Sequence, residues 1–348
     1  MARRVSDGIV TRSEMAYANA AMIILWRVLN SCNLACPFCA YDKRLAFPRE
    51  QAKPEQVVRF IDLLGAWRRM TGRMPLLSWL GGEPLLWSAR PDLDLRARSH
   101  GIDLSLTTNG TQLGAARVRT ELVRHYREVT ISIDGMADFH DVMRGWRGAF
   151  SKLRATVPTL IAERDATGSR LKVRINIVLM RDNIADFPAL CRVLAHWGVD
   201  EISFNQLGGR DRPEFYPNHR LRHDDVVFLI DEVPALRAEL EKAGTTLVGG
   251  PAYLDRFADT VAGRRFPIPD CRVAETFLFI DEAGRLAPCS FAPEHFGMSV
   301  DDLQSPDDLD ALPGRLRSYQ NAHPAIDCAD CPSTQQFSKF EPPANAVS

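Results

Sequence analysis

Cys32, Cys36 and Cys39 place three thiols in one short segment, Cys-Asn-Leu-Ala-Cys-Pro-Phe-Cys. Three thiolates can hold three irons of a cubane [4Fe–4S] cluster and leave the fourth iron without a protein ligand. Clusters built for electron transfer normally use four cysteines, so a missing fourth points to chemistry at the iron. The alternative is half of a zinc site completed by distant ligands. A second set, Cys271, Cys289, Cys328 and Cys331, supplies four thiols. Four can close a cubane completely, or hold one zinc ion. Cys328-Ala-Asp-Cys331 also has redox-dithiol spacing, although its irregular, Pro-flanked setting does not favour that reading. Eight cysteines in short-spaced sets point to metal rather than disulfides in a reducing compartment.

The elements that must position these thiols alternate in type. Six β-rich apolar runs (Ala21–Val28, Pro75–Leu80, Ile102–Thr107, Glu128–Ile133, Leu171–Leu179 and Glu201–Gln206) are separated by helical spacing. The helical stretches include Lys53–Met70, Ala115–Tyr126, Phe150–Arg164 and Asn183–Trp197. Pro54 suits a helix start and Gly198 a helix end. Strands alternating with helices imply βαβ units and a parallel sheet. Polar and Gly-rich segments follow the strands: the cysteine loop, Gly81-Gly82-Glu83-Pro84, Thr108-Asn109-Gly110, Asp134-Gly135 and Gly208-Gly209-Arg210. Such clustering is what the rim of a barrel-type active site looks like. Six units fall short of eight, so the expected fold is α/β: a partial (β/α)6 TIM-type barrel, open on one side. A small α+β C-terminal domain that carries the second cysteine set follows it. The predicted division is an extension over 1–20, the barrel over 21–220, a linker helix over 221–248 and the auxiliary domain over 249–348. In that last part, Thr276–Ile280 and Arg285–Pro288 alternate like the strands of a hairpin that carries Cys289.

The triad, with Phe38 before its last cysteine, resembles the signature C-x3-C-x-aromatic-C of the radical S-adenosylmethionine (SAM) superfamily. The resemblance covers about residues 20–210. It implies that SAM chelates the open iron through its amino and carboxylate groups and is cleaved to a 5′-deoxyadenosyl radical that abstracts substrate hydrogen. It further implies that Phe38 lies against the adenine and that the Gly81, Gly82 and Glu83 segment binds the SAM amino group. Glycine suits that job because the backbone must approach closely. Thr108, Asn109, Ser132 and Asp134 resemble the segments that reach the methionine and ribose. Arg144 resembles an arginine paired with the SAM carboxylate, and Asn176 joins this cofactor-facing set. The second cysteine set resembles the SPASM extension, or its shorter twitch form. Cys331 is the last cysteine, so one auxiliary [4Fe–4S] cluster is expected.

Arg210, Glu214 and Tyr216 are candidates to bind or deprotonate substrate. Asn205 and Gln206 are further substrate-facing groups, and Asn176 is a candidate for this set as well as for the cofactor-facing one. Cys191, on a predicted helix with Leu190 and Leu194, reads as a buried small hydrophobe. A hydrogen-atom donor would have to face the barrel mouth. His140 and His219 lie in rim-type loops, and no histidine pair has metal spacing.

The net charge of −1 and scattered Arg clusters offer no field for nucleic acid. The longest apolar run, Ala20 to Trp26, cannot span a bilayer. The expectation is a cytoplasmic oxidoreductase without nucleic-acid or membrane partners, served by an external one-electron reductant of flavodoxin or ferredoxin type. Two substrate classes compete. The favoured one is a sugar- or aminocyclitol-type small molecule. The other is a peptide or protein side chain, as in SPASM-type maturases. About twenty residues precede the first strand, too few for a leader-peptide-recognition domain, which weighs against the peptide.

Overall fold

The computed structural model describes residues 22–268, 270–334 and 339–340. The expected extension over 1–20, and Ala21 of the first predicted strand, lie outside these residues. Seven parallel strands follow in order: β1 (Ile23–Leu29), β2 (Leu76–Gly81), β3 (Asp103–Thr108), β4 (Glu128–Ser132), β5 (Lys172–Leu179), β6 (Glu201–Gln206) and β7 (Thr246–Leu247). Helices α1 (Pro54–Thr71), α2 (Arg90–Ser99), α3 (Ala116–His125), α4 (Ala137–Arg144), α5 (Ala149–Thr167) and α6 (Phe187–His196) connect the first six. After β6 come the short α7 (Tyr216–His219), α8 (His223–Lys242) and, beyond β7, α9 (Pro251–Val261). The chain then forms β8 (Phe277–Ile280), β9 (Arg285–Ala287), β10 (Met298–Ser299) and α10 (Pro306–Ala322).

Helix α1 shows why these sequences fold as they do. Pro54 opens it, and Gly72 ends it with φ 71°, its N–H returning to the Arg68 carbonyl. Val57, Phe60, Ile61, Leu64 and Trp67 recur at helical spacing and are all buried. Phe60 meets Trp26 of β1 edge-on, with ring centroids 5.3 Å apart. Each such side chain contributes about 1.5–3 kcal/mol by leaving water. Trp26, Trp79, Ile131, Ile175 and Phe204 make the outer face of the strands a continuous apolar layer under the helices.

The inner face is different. Register pairs Leu25 with Ser78, Ser78 with Ser105, and Ser132 with Asn176, which in turn pairs with Ser203. Paired residues point to the same side of a sheet, so small polar groups line the concave face. One level lower, Arg174 bonds both Glu128 and Glu201, and Lys172 reaches the same two carboxylates at 3.3 Å.

The sheet is not closed. Its order is β10-β9-β8-β1-β2-β3-β4-β5-β6-β7, a partial barrel as expected. Two features escaped the sequence reading. The two-residue β7, within the expected linker over 221–248, extends one edge. At the other edge β8 pairs in parallel with β1, Ile23 beside Phe277 and Trp26 beside Ile280. One sheet therefore runs through the boundary expected near 249. Among the described residues no helix is long and apolar enough to cross a membrane.

Candidate active site

The cysteine triad sits in a loop clamped at both ends. Asn30 bonds Glu50 through backbone and side chain (3.1 and 2.8 Å), and the Ala52 N–H returns to the Val28 carbonyl at 2.8 Å. Inside the loop, the Cys39 N–H donates to the Cys36 carbonyl at 3.1 Å, winding a tight turn. Asp42, almost fully buried, accepts from Arg44 and from Arg212 at 3.2 Å. These cations hold its carboxyl down at about 2. Asp42 thereby fastens the cysteine loop to the loop after β6.

Neighbouring strand ends press on this loop. A Cβ on Gly81 would lie 2.0 Å from the Leu29 oxygen, and one on Gly82 would lie 1.9 Å from the Ser31 oxygen. The Gly82 N–H donates to Leu29 (2.9 Å) and the Glu83 N–H to Ser31 (3.0 Å). The Gly82 carbonyl accepts nothing among the described residues, which leaves it available to an ammonium group. Glu83 is fully buried; its carboxylate accepts from Thr108 Oγ1 (2.8 Å), the Asn109 N–H (2.7 Å) and the Leu85 N–H (3.1 Å). Burial outweighs these donors and pushes its carboxyl up to about 7. Asn109 Nδ2 in turn donates to Asn33 Oδ1 (2.9 Å) and approaches Cys32 Sγ at 3.6 Å. The structure therefore commits the side chains of Glu83, Thr108 and Asn109 to holding the cysteine loop.

On the other side, Arg144 Nε donates to Asp134 Oδ2 at 2.6 Å, and its guanidinium lies over the Phe38 ring, 5.4 Å from the centroid. Asp134 Oδ1 also accepts the Val178 N–H, and its carbonyl accepts Asn183 Nδ2. The Asp134 N–H donates to His140 Nδ1 at 3.1 Å, so the proton of the neutral ring sits on Nε2. That atom is buried without a partner among the described residues. Burial and the nearby Arg144 push the imidazole down to about 4. Phe38, Asp134 and Arg144 thus lie together beside the triad, with the Arg144 guanidinium bonded to Asp134. Ser132 and Asn176 stand side by side on the concave face.

The thiols themselves are pushed upward by burial, Cys36 to about 12. Leu34 N–H and Tyr41 N–H point at Cys32 and Cys39 sulfur (3.5 and 3.4 Å). A site of this kind holds thiolates when cations displace the protons, and the N–H groups stabilise the sulfur charge.

The second set also converges. Cys271, Cys289, Cys328 and Cys331 line one cavity walled by Ile268, Phe291 and Phe296. Burial raises Cys289 to about 12 and Cys331 to about 11. Both sets are all-thiol donor sets, the chemistry an iron–sulfur cluster takes.

A second, open cavity of about 500 Å³ occupies the barrel interior. Leu25 and Phe277 border it on one side, Asn205, Gln206, Tyr216 and Tyr253 on the other, with Cys289 and Phe291 between. Tyr216 thus faces the interior. Glu214 is exposed and paired with Arg212. Arg210 pairs with Asp327 at 2.9 Å, next to Cys328, and lies over the Phe291 ring. Cys191 is fully buried among core side chains. His219 stacks on Phe215 and bonds Asp182. Asp42 and Asn33 were invisible from sequence: Asp42-Lys-Arg reads as a surface charge run, and Asn33 as one more loop residue.

Residues 26–194 match the family described as the radical SAM superfamily. The Fe-coproporphyrin III synthase of Methanosarcina barkeri is 26% identical over 186 residues, covering 53% of this chain and 44% of that protein. The chain thus spans less than half the length of that relative, and 51% of a pre-heme d1 synthase from Dinoroseobacter shibae. A PqqA peptide cyclase from Xanthomonas euvesicatoria pv. vesicatoria is 25% identical over 301 residues, covering 83% of this chain and 73% of that protein. Among solved structures, Streptococcus suis SuiB bound to S-adenosylmethionine superposes with a TM-score of 0.61 at 18% identity, covering 86% of this chain and 68% of SuiB. Motifs, fold and comparisons agree: residues 26–194 form a radical SAM superfamily domain, and the cofactors of that family are a [4Fe–4S] cluster and SAM.

Proposed function

We propose that this radical SAM enzyme oxidises a peptide or protein side chain, with Cys32, Cys36 and Cys39 holding the SAM-binding cluster and Cys271, Cys289, Cys328 and Cys331 an auxiliary [4Fe–4S] cluster. Bound SAM and its cluster supply a 5′-deoxyadenosyl radical that removes a hydrogen atom from substrate carbon. The protein's part is to position. Phe38 and Arg144 offer a ring face and a guanidinium beside the triad, and the Gly82 carbonyl offers an acceptor. The cavity of the auxiliary thiols shares Cys289 and Phe291 with the open cavity, so a cluster held there would border the substrate and would supply an acceptor for its second electron, the accompanying proton leaving to solvent. That shared wall is the observation that carries the reading.

The small-molecule reading favoured on sequence grounds yields to the peptide on how much of the chain each relative matches. The peptide cyclase matches 83% of this chain, whereas the synthase matches 53%. The test is anaerobic reconstitution with dithionite, SAM and candidate peptides encoded near the gene. The expected products are 5′-deoxyadenosine and a peptide lighter by two hydrogens. Deoxyadenosine absent from iron-replete protein sinks the enzyme reading; sugars oxidised in preference to any peptide sink the substrate class. Replacing Cys328 and Cys331 by Ala lowers iron from about eight to about four per chain; unchanged iron overturns the auxiliary assignment.

A further inference from the structure

Lys339 is the one buried lysine of the six. It is 4% exposed. Its carbonyl accepts the Gly249 N–H beside β7 (2.9 Å), and Nζ donates to Asn205 Oδ1 at 2.9 Å. The faces of Tyr253 and Phe340 lie 5.8 and 5.1 Å from Nζ. The charged groups facing it are Arg174 from β5 and Glu201 from β6, already bonded to each other.

Asn205 Nδ2 donates to Asn176 Oδ1 at 3.0 Å, and Ser203 Oγ donates to the same oxygen at 3.0 Å. An ammonium has donors and no acceptor. Asn205 must therefore turn its carbonyl to Lys339 and its NH2 to Asn176, and Asn176 must turn its carbonyl to Asn205. The Asn176 NH2, which bonds nothing among the described residues, is left facing the concave side in register with Ser132. Tyr253 Oη also lies 3.1 Å from Asn205 Oδ1 and 2.8 Å from the Phe204 carbonyl. Like the Ser203 hydroxyl it can accept as well as donate, so without the cation both amides can invert and present a carbonyl there instead.

We propose that Lys339 is a positioning residue whose ammonium fixes the polarity of the Asn205–Asn176 pair, so that Asn176 presents hydrogen-bond donors to an oxygen of bound SAM. The inference rests on the SAM reading above. Burial and Arg174 push the Lys339 amine down to about 7, so the device is engaged in acid and released as pH rises through neutrality. A neutral amine accepts a hydrogen bond as readily as it donates one.

The test is equilibrium SAM binding to anaerobically reconstituted protein at pH 6 and pH 8.5, wild type against Lys339→Met. The ratio of the two dissociation constants cancels SAM's own ionisation. It is expected to be about 5- to 30-fold at pH 6 and to approach one at pH 8.5. In wild-type protein labelled with 13C-lysine, one resonance titrates near 7; Lys339→Met removes it. Asn205→Asp, an acceptor only, keeps the lysine charged and moves that midpoint above about 8. It also turns the Asn176 NH2 inward, and so weakens SAM binding at both pH values. If Lys339→Met fails to fold, as circular dichroism reports, the Asn205→Asp pair of readouts decides. Wild type that binds SAM, with both variants binding equally well at pH 6, overturns the inference alone. A Lys339 midpoint near about 10.4 overturns its pH dependence. Iron-replete wild type that binds no SAM overturns the underlying reading.

Discussion

Gly82→Ala tests whether the second strand end holds the cysteine loop. The added Cβ would sit 1.9 Å from the Ser31 oxygen and 2.9 Å from the Cys32 nitrogen. Ordinary carbon–oxygen contact is about 3.3 Å, so the two segments must separate by about 1.4 Å. That displacement breaks the Gly82-to-Leu29 and Glu83-to-Ser31 hydrogen bonds, each worth about 1 kcal/mol. Backbone shift in a packed site adds about 1–3 kcal/mol, giving about 3–5 kcal/mol in all. Ser31 precedes Cys32, so the same movement pulls one thiol away from the other two. The assay is chemical denaturation of the apo-protein together with iron and sulfide per chain after reconstitution. Gly82→Ala is expected to lose that stability and the triad's share of the iron. Gly114→Ala is the control, because its Cβ meets nothing within 4 Å. Gly114→Ala stability and iron should match wild type within about 1 kcal/mol. A Gly82→Ala protein that unfolds at the wild-type midpoint and fills with iron would falsify the reasoning.

The buried acid and base of the site give opposite pH slopes. Glu83 titrates near 7 when folded and near 4.5 when unfolded. Its folded form therefore holds the extra proton, and stability is lost as pH rises through that window, by about 3 kcal/mol in total. His140 titrates near 4 folded and 6.5 unfolded, so its contribution is lost as pH falls from 6.5 to 4. The two partly cancel in wild type; Glu83→Gln should expose the rising limb of His140 in apo-protein denaturation between pH 4.5 and 6.5. A Glu83→Gln profile superimposable on wild type contradicts both assignments. Arg144→Met leaves the fully buried Asp134 carboxylate without its cation, an expected loss of about 3–5 kcal/mol. Arg144→Met with Asp134→Asn should recover most of it, and no recovery in the double variant refutes the pairing.

Much of this site was legible because its signals are local. Three cysteines in one loop, and Gly-rich segments at the ends of alternating strands, announce a barrel rim before any coordinates exist. Phe38, Asp134 and Arg144 lie together, but the bond between Arg144 and Asp134 was not legible in either motif. The roles of Glu83, Thr108 and Asn109 were less visible, because sequence order does not say that one carboxylate would bridge two strand ends. Asp42 and Lys339 were not legible at all. Asp42 works through Arg212, 170 residues away, and Lys339 through Asn205, 134 residues away. Such contacts follow from how the sheet curls, which periodicity does not encode. The strand β7 was missed for a simpler reason: two residues carry no alternation.

The pairing of β8 with β1 bears most on how the two cysteine sets act together. A flexible linker would leave their separation free. Here the hairpin that carries Cys289 is hydrogen-bonded along the strand that leads into Cys32. Its turn is fixed twice more: Trp26 Nε1 donates to the Asp281 carbonyl at 3.1 Å, and Arg27 bonds Glu282. Asp281, fully buried, also accepts from Arg285 and from the Ala283 N–H. The distance between the sets is thus a property of one sheet, and the open side of the barrel is where the auxiliary thiols face the interior. Arg27→Ala removes the Glu282 bond while leaving the β1–β8 backbone ladder. It should lower stability and leave iron in both sets near wild type. Loss of iron from the triad in Arg27→Ala would mean that the turn, rather than the ladder, holds the two sets in place.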